Sequence, residues 1–202
     1  SIRRQRQMCI RDRSYFSRPH WILYFADYPA VSRPKKIVLL GATGSIGENT
    51  LQVVRKHPDR LQLIGISAQS NAEKLSQIAS EFKVPHAYLP ETAGEAKNLP
   101  SFTDLDRSHD GLLSLASLPD AELVVIAVVG ASGLSPTLAA LEAGKNIVLA
   151  NKESLVLGGD LVMQTARENQ ARVLPADSEH NAVFQCIQAV SYTHLTLPTN
   201  RE

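Results

Sequence analysis

The run "LVVIAVV", Leu123 to Val129, limits the fold more than any other stretch of the chain. A strand with one wet face alternates apolar and polar side chains. This run does not alternate, so both of its faces must be covered. It is also too short to cross a bilayer. Similar apolar runs recur, with helical spacing between them. Strands are expected at Lys36–Leu40, Leu61–Ala68, Val84–Leu89, Leu123–Val129, Ile147–Ala150 and Arg172–Leu174. Helices are expected at Asn49–His57, Ala72–Phe82, Leu134–Ala143 and Asp160–Asn169, with helical pieces near Thr92–Asn98 and Gly111–Leu118. Pro58 stops the first helix and Gly144 caps the one before the fifth strand. Strict alternation predicts an α/β fold, a doubly wound parallel sheet with helices on both faces.

The ends differ from this middle. Residues 1–34 show no clean period, and 1–33 carry a balance of +5, with seven Arg against two Asp, so the rest of the chain is net negative. They read as foreign adapter-like sequence or as a leader, and so carry no localisation signal. Residues 190–202, "VSYTHLTLPTNRE", read as a foreign tail. The whole chain has a net charge of +1, which gives no electrostatic case for a nucleic-acid or membrane partner. Cys9 and Cys186 are far apart and in unlike contexts, so neither a disulfide framework nor a cysteine zinc site is expected.

"KKIVLLGATGSIGENTLQVV" places Gly41, Gly44 and Gly47 where the first strand turns into a helix. Small residues there let the backbone approach a pyrophosphate, and the helix start offers free N–H groups and partial positive charge. Thr43 and Ser45 add hydroxyls. The context fits a Rossmann-like sheet and favours a nucleotide-binding turn over a plain glycine-rich one. The second strand ends in "GISAQSNAEKL", with no acid at Ala68, Gln69, Ser70 or Asn71 to hold a ribose 2′-hydroxyl. Ser70 and Asn71 can instead donate to a 2′-phosphate, which favours NADP over NAD; Lys74 is the nearest cation.

Two later stretches carry chemistry. In "LANKES", Asn151, Lys152 and Glu153 stand at the carboxyl end of a strand, where open parallel sheets bind ligands. Lys152 there suits a phosphate or an oxyanion, or is a surface lysine paired with Glu153. Asn151 suits a nicotinamide carboxamide, or simply caps the turn. In "LPADSEHNAVFQ", Asp177 and Glu179 flank Ser178. They are either helix-capping acids or hard oxygen ligands for a divalent cation. His180 reads as a ligand, a residue behind the ligands, or a plain helix-face histidine.

The order of glycine loop, "LANKESLV" and "DSEHNAVFQ" resembles the 1-deoxy-D-xylulose 5-phosphate reductoisomerase family over roughly Lys35 to Gln188. The resemblance implies an NADPH-binding domain over 35–175 and the start of a truncated α+β catalytic domain at 176–189. It implies that Thr43, Gly44, Ser45 and Ile46 line the cofactor phosphates. Ser70 and Asn71 would lie at the adenosine end, with Asn151 and Glu153 at the nicotinamide. Lys152, Ser178 and Glu179 would bind the sugar phosphate substrate, Lys152 and Glu179 being catalytic. Asp177 and Glu179 would ligate Mg²⁺ or Mn²⁺, with Co²⁺ as an alternative.

The implied reaction converts 1-deoxy-D-xylulose 5-phosphate to 2-C-methyl-D-erythritol 4-phosphate by carbon–carbon rearrangement and hydride transfer, in isoprenoid biosynthesis. A homodimer in a bacterial cytoplasm or a plastid is implied too. The family's third metal-binding carboxylate and its lid are expected beyond Gln188 and do not follow here, so the chain reads as an incomplete, inactive piece. Gln69 also departs from a position where the family often has glycine. Two other readings share the glycine loop: a non-catalytic NADP-binding module, and an NADP-dependent dehydrogenase of the semialdehyde type. The latter would need a catalytic cysteine, whereas Cys186 follows the acidic motif.

Overall fold

The structure is a computed structural model that describes residues 33–176 and 180–181. Asp177, Ser178 and Glu179, both cysteines and the two terminal segments lie outside these residues. Strands β1 (Lys35–Leu40), β2 (Leu61–Ser67), β3 (His86–Tyr88), β4 (Asp104–Asp106), β5 (Leu123–Ile126), β6 (Asn146–Leu149) and β7 (Val173–Pro175) form one sheet. Its order is β4-β3-β2-β1-β5-β6-β7, and every pairing is parallel. The helices are α1 (Ser45–Lys56), α2 (Ala72–Phe82), α3 (Gly111–Ala116), α4 (Leu134–Glu142) and α5 (Lys152–Glu168).

Alternation along β1 divides the core. Ile37 and Leu39 point into one layer with Leu51 and Val54 of α1 and Leu75 and Ile78 of α2. Val38 and Leu40 point into the other, with Leu115 of α3, Leu141 of α4 and Val162 of α5. All four β1 residues are fully or almost fully buried, as a central strand covered on both faces must be. The doubly wound sheet expected from the sequence is therefore observed. No helix among the described residues is long and apolar enough to cross a membrane.

Several boundaries differ from expectation, each for a local reason. Helix α1 starts at Ser45, four residues early, because Gly47 belongs to its first turn rather than to the loop. Thr92–Asn98 is not helical. The Arg107 guanidinium donates to the carbonyls of Pro90, Glu91 and Ala93 and holds that segment as a series of turns. Strand β4 has a single apolar residue, Leu105, and is defined by its pairing with β3. Helix α5 begins at Lys152 rather than Asp160 and contains a kink at Gly158, whose φ of −146° is not helical. The backbone leaves helical geometry at this point, so α5 is two helical segments joined at a kink, and the second of them corresponds to the helix expected from Asp160.

Candidate functional site

β1 lies between β2 and β5, so the chain leaves β1 in one direction for β2 and returns on the other side at β5. A crevice opens outside the carboxyl ends of strands at such a reversal, and ligands bind there. A cleft of about 350 Å³ occupies this place. Gly41, Thr43 and Gly44 form its floor. Ser67, Ala68, Gln69 and Tyr88 lie toward β2 and β3, and Ala127, Val128, Val129 and Ser132 lie toward β5.

Steric demand explains two of the three glycines. Gly41 has φ +85°, and a Cβ there would lie 2.5 Å from the Ala127 carbonyl oxygen. Gly47 faces back onto the loop, where a Cβ would lie 2.5 Å from the Ala42 carbonyl oxygen. Gly44 precedes α1 in an extended conformation, and no side chain caps the helix. The first-turn N–H groups of α1 thus have no capping side chain and face the region where a phosphate is expected.

Thr43 is half-buried, whereas Gly44, Ser45 and Ile46 are exposed on the loop and first turn. Ser70 and Asn71 are also exposed, at the start of α2. The Asn71 side chain accepts the Lys74 N–H at 2.9 Å and caps that helix. Lys74 Nζ reaches back to the Thr43 carbonyl at 3.4 Å and to Glu48 at 3.2 Å, so the nearest cation sits beside the glycine loop.

Sequence reasoning missed Ser67 and Tyr88. Ser67 is 2% exposed and stands one residue before the stretch searched for an acid. Tyr88 lines the cleft, and burial pushes its phenol up, with the nearby Asp106 carboxylate adding to this. Position at the carboxyl end of a predicted strand was the available signal for both.

At the end of β6 the structure favours capping for Asn151. Its side chain is 2% exposed and accepts the Ser154 N–H at 2.7 Å. Lys152 is then the first residue of α5 and is exposed, and Glu153 is half-buried in the first turn. Lys152 and His180 line a second cleft of about 250 Å³, with Leu149, Leu155, Met163 and Pro175. His180 is therefore brought to the lysine, on the side of the sheet where β6 and β7 end. Among the described residues, no group of three or more His, Cys, Asp or Glu is placed to hold a metal ion. The expected ligands Asp177 and Glu179, and Ser178 between them, fall outside those residues.

A family model described as 1-deoxy-D-xylulose 5-phosphate reductoisomerase matches residues 37–159. The enzyme of that name from Pseudomonas fluorescens is 46% identical over 164 residues, covering 78% of this chain and 41% of the relative. The Zymomonas mobilis reductoisomerase solved in complex with NADPH superposes with a TM-score of 0.72 at 37% identity, covering 76% of this chain and 41% of that one. A reductoisomerase solved with NADPH, fosmidomycin and magnesium gives 0.71 at 43% identity, with 75% and 38% covered. The chain thus spans about two fifths of the length of the relatives it matches.

Proposed function

Because the chain belongs to the 1-deoxy-D-xylulose 5-phosphate reductoisomerase family, we propose that it forms the NADPH-binding part of such an enzyme. The observation that carries this reading is the crevice between β1 and β5, floored by a glycine turn that admits no side chain at Gly41. The pyrophosphate lies over Thr43, Gly44, Ser45 and Ile46, where the start of α1 supplies N–H groups and partial positive charge. The adenosine end lies toward Ser70 and Asn71, with Gln69 on the cleft wall. The nicotinamide end lies toward the loop after β5, near Asn151 and Glu153. Glycine is not required at position 69 in this arrangement, because Gln69 is exposed at the rim.

Within the complete enzyme, this part serves the conversion of 1-deoxy-D-xylulose 5-phosphate to 2-C-methyl-D-erythritol 4-phosphate. Lys152 holds the sugar phosphate. It stands at the first turn of α5, so its ammonium and the helix terminus present positive charge to the same anion. His180 lines the same cleft. Asp177 and Glu179 are the residues that would hold Mg²⁺ or Mn²⁺, with Ser178 and Glu179 at the substrate. The metal supplies Lewis acidity toward the substrate oxygens, and NADPH supplies the hydride. Residues 35–175 form the cofactor domain and 176–189 begin the catalytic one. A homodimer belongs to the same reading.

The test is to add NADPH, Mg²⁺ and 1-deoxy-D-xylulose 5-phosphate to the purified chain of 202 residues. NADPH fluorescence should change on binding, and absorbance at the reduced-nicotinamide band should stay constant. Absence of binding contradicts the cofactor reading. Steady oxidation of NADPH dependent on the sugar phosphate contradicts the assignment of only part of the machinery to these residues.

A further inference from the structure

A primary amide has two N–H donors and two acceptor positions on its oxygen. The Asn151 side chain uses all four inside the protein. Nδ2 donates to the Val128 carbonyl at 2.9 Å and to the Gly130 carbonyl at 2.8 Å. Oδ1 accepts the Ser154 N–H at 2.7 Å and the Ser154 hydroxyl at 2.6 Å. The orientation is fixed, because two carbonyls need the NH₂ and a backbone N–H needs the oxygen. Across from it, a Cβ on Gly133 would lie 2.7 Å from the amide carbon, so that glycine makes room for the side chain.

We propose that Asn151 is a positioning residue: its amide clamps the loop after β5 to the start of α5, and the nicotinamide half of the cofactor meets the clamped loop. This rests on the NADPH placement proposed above. Val128, Val129 and Ser132 of that loop line the cleft on the β5 side, whereas Ser67 and Gln69 line it on the β2 side. A dinucleotide spans the reversal between the two, one half on each side. The clamp therefore acts on one half of the ligand alone. It also ties Lys152, next in the chain, to the loop that faces the nicotinamide, so cofactor and substrate sites share one anchor.

The two faces of the amide are separable by substitution. N151D keeps an oxygen acceptor for Ser154 but turns oxygen toward the carbonyls of Val128 and Gly130. N151S is a smaller cap that cannot reach both carbonyls. Each variant of the full chain is titrated with NADPH and with 2′,5′-ADP, which carries only the adenosine half. The parent is expected to bind both. Each variant is expected to bind 2′,5′-ADP within about twofold of the parent and NADPH at least about tenfold more weakly. A general loss of structure would weaken both ligands alike, and an inert Asn151 would weaken neither; either result overturns the inference. If N151D does not fold, N151S decides it. A parent that binds neither ligand overturns the cofactor reading itself, which is a different result from equal binding by parent and variant.

Discussion

The backbone N–H of Gly41 donates to the Ser67 hydroxyl at 2.9 Å, joining the first residue of the glycine turn to the last residue of β2. The Ala42 N–H reinforces the link by donating to the Ser67 carbonyl at 2.8 Å. Two neighbouring strand ends therefore set the shape of the turn before any ligand arrives. Preorganisation of this kind lowers the ordering cost of binding.

Gly41 is expected to tolerate no side chain. G41A must hold φ near +85° and place a methyl against the Ala127 carbonyl. A loss of roughly 2 kcal/mol or more is expected from these two terms. Denaturant unfolding of parent and variant measures it.

Gly133 and Asn151 should be energetically coupled. Gly133 has φ −77° and ψ −20°, a conformation alanine accepts, so backbone strain is not at issue. G133A should cost about 1–3 kcal/mol through crowding of the Asn151 amide. In an N151A background that cost should shrink, and a double-mutant cycle should return a coupling of about 1 kcal/mol. Additive losses would mean that the two residues act independently.

Ser70 should report the choice between NADPH and NADH. It is exposed, so S70D leaves the core untouched. A carboxylate there is expected to weaken NADPH by about tenfold through repulsion of the 2′-phosphate, and to leave NADH within about twofold. Paired fluorescence titrations give both values.

Acid should release the ion pairs between α1 and α2. Arg55 donates to both Glu81 oxygens, at 2.5 and 2.8 Å, and stacks over the Phe82 ring at 5.2 Å from its centroid. The Arg55 hydrogen bond holds the Glu81 carboxyl below its ordinary value. A carboxyl depressed in the folded state stabilises fully above its unfolded pKa, and that stabilisation is lost as pH falls through the folded value. Both groups are partly exposed, so the effect is small. E81Q should melt roughly 1–3 °C below the parent at pH 7, and the two should converge as the pH falls below about 4.

The alternation of apolar runs and helical segments was enough to anticipate the sheet, because burial on both faces leaves strands such as Val124–Ile126 without polar residues. The glycine turn was equally legible, since close approach demands a specific residue type. Strand β4 was not. Its sequence, Asp-Leu-Asp, carries no strand signal, and its partner β3 supplies the hydrogen bonds. The start of α5 was hidden for the opposite reason. The kink at Gly158 does interrupt the helix, and the segment before it begins at a cap, Asn151, whose chemistry also fits a ligand. Type alone does not separate the two roles; four internal hydrogen bonds do. The Lys152 position at the end of β6 followed from the strand, but its shared cleft with His180 depends on how the chain continues past Pro175.

The location of NADPH is tested most directly by hydrogen exchange of the purified chain with and without the cofactor. Protection should appear together at residues 41–47 and at residues 128–133, with the outer faces of α1 and α2 unchanged. Saturable NADPH binding that protects neither loop, or only one distant from the crevice between β1 and β5, would contradict the account.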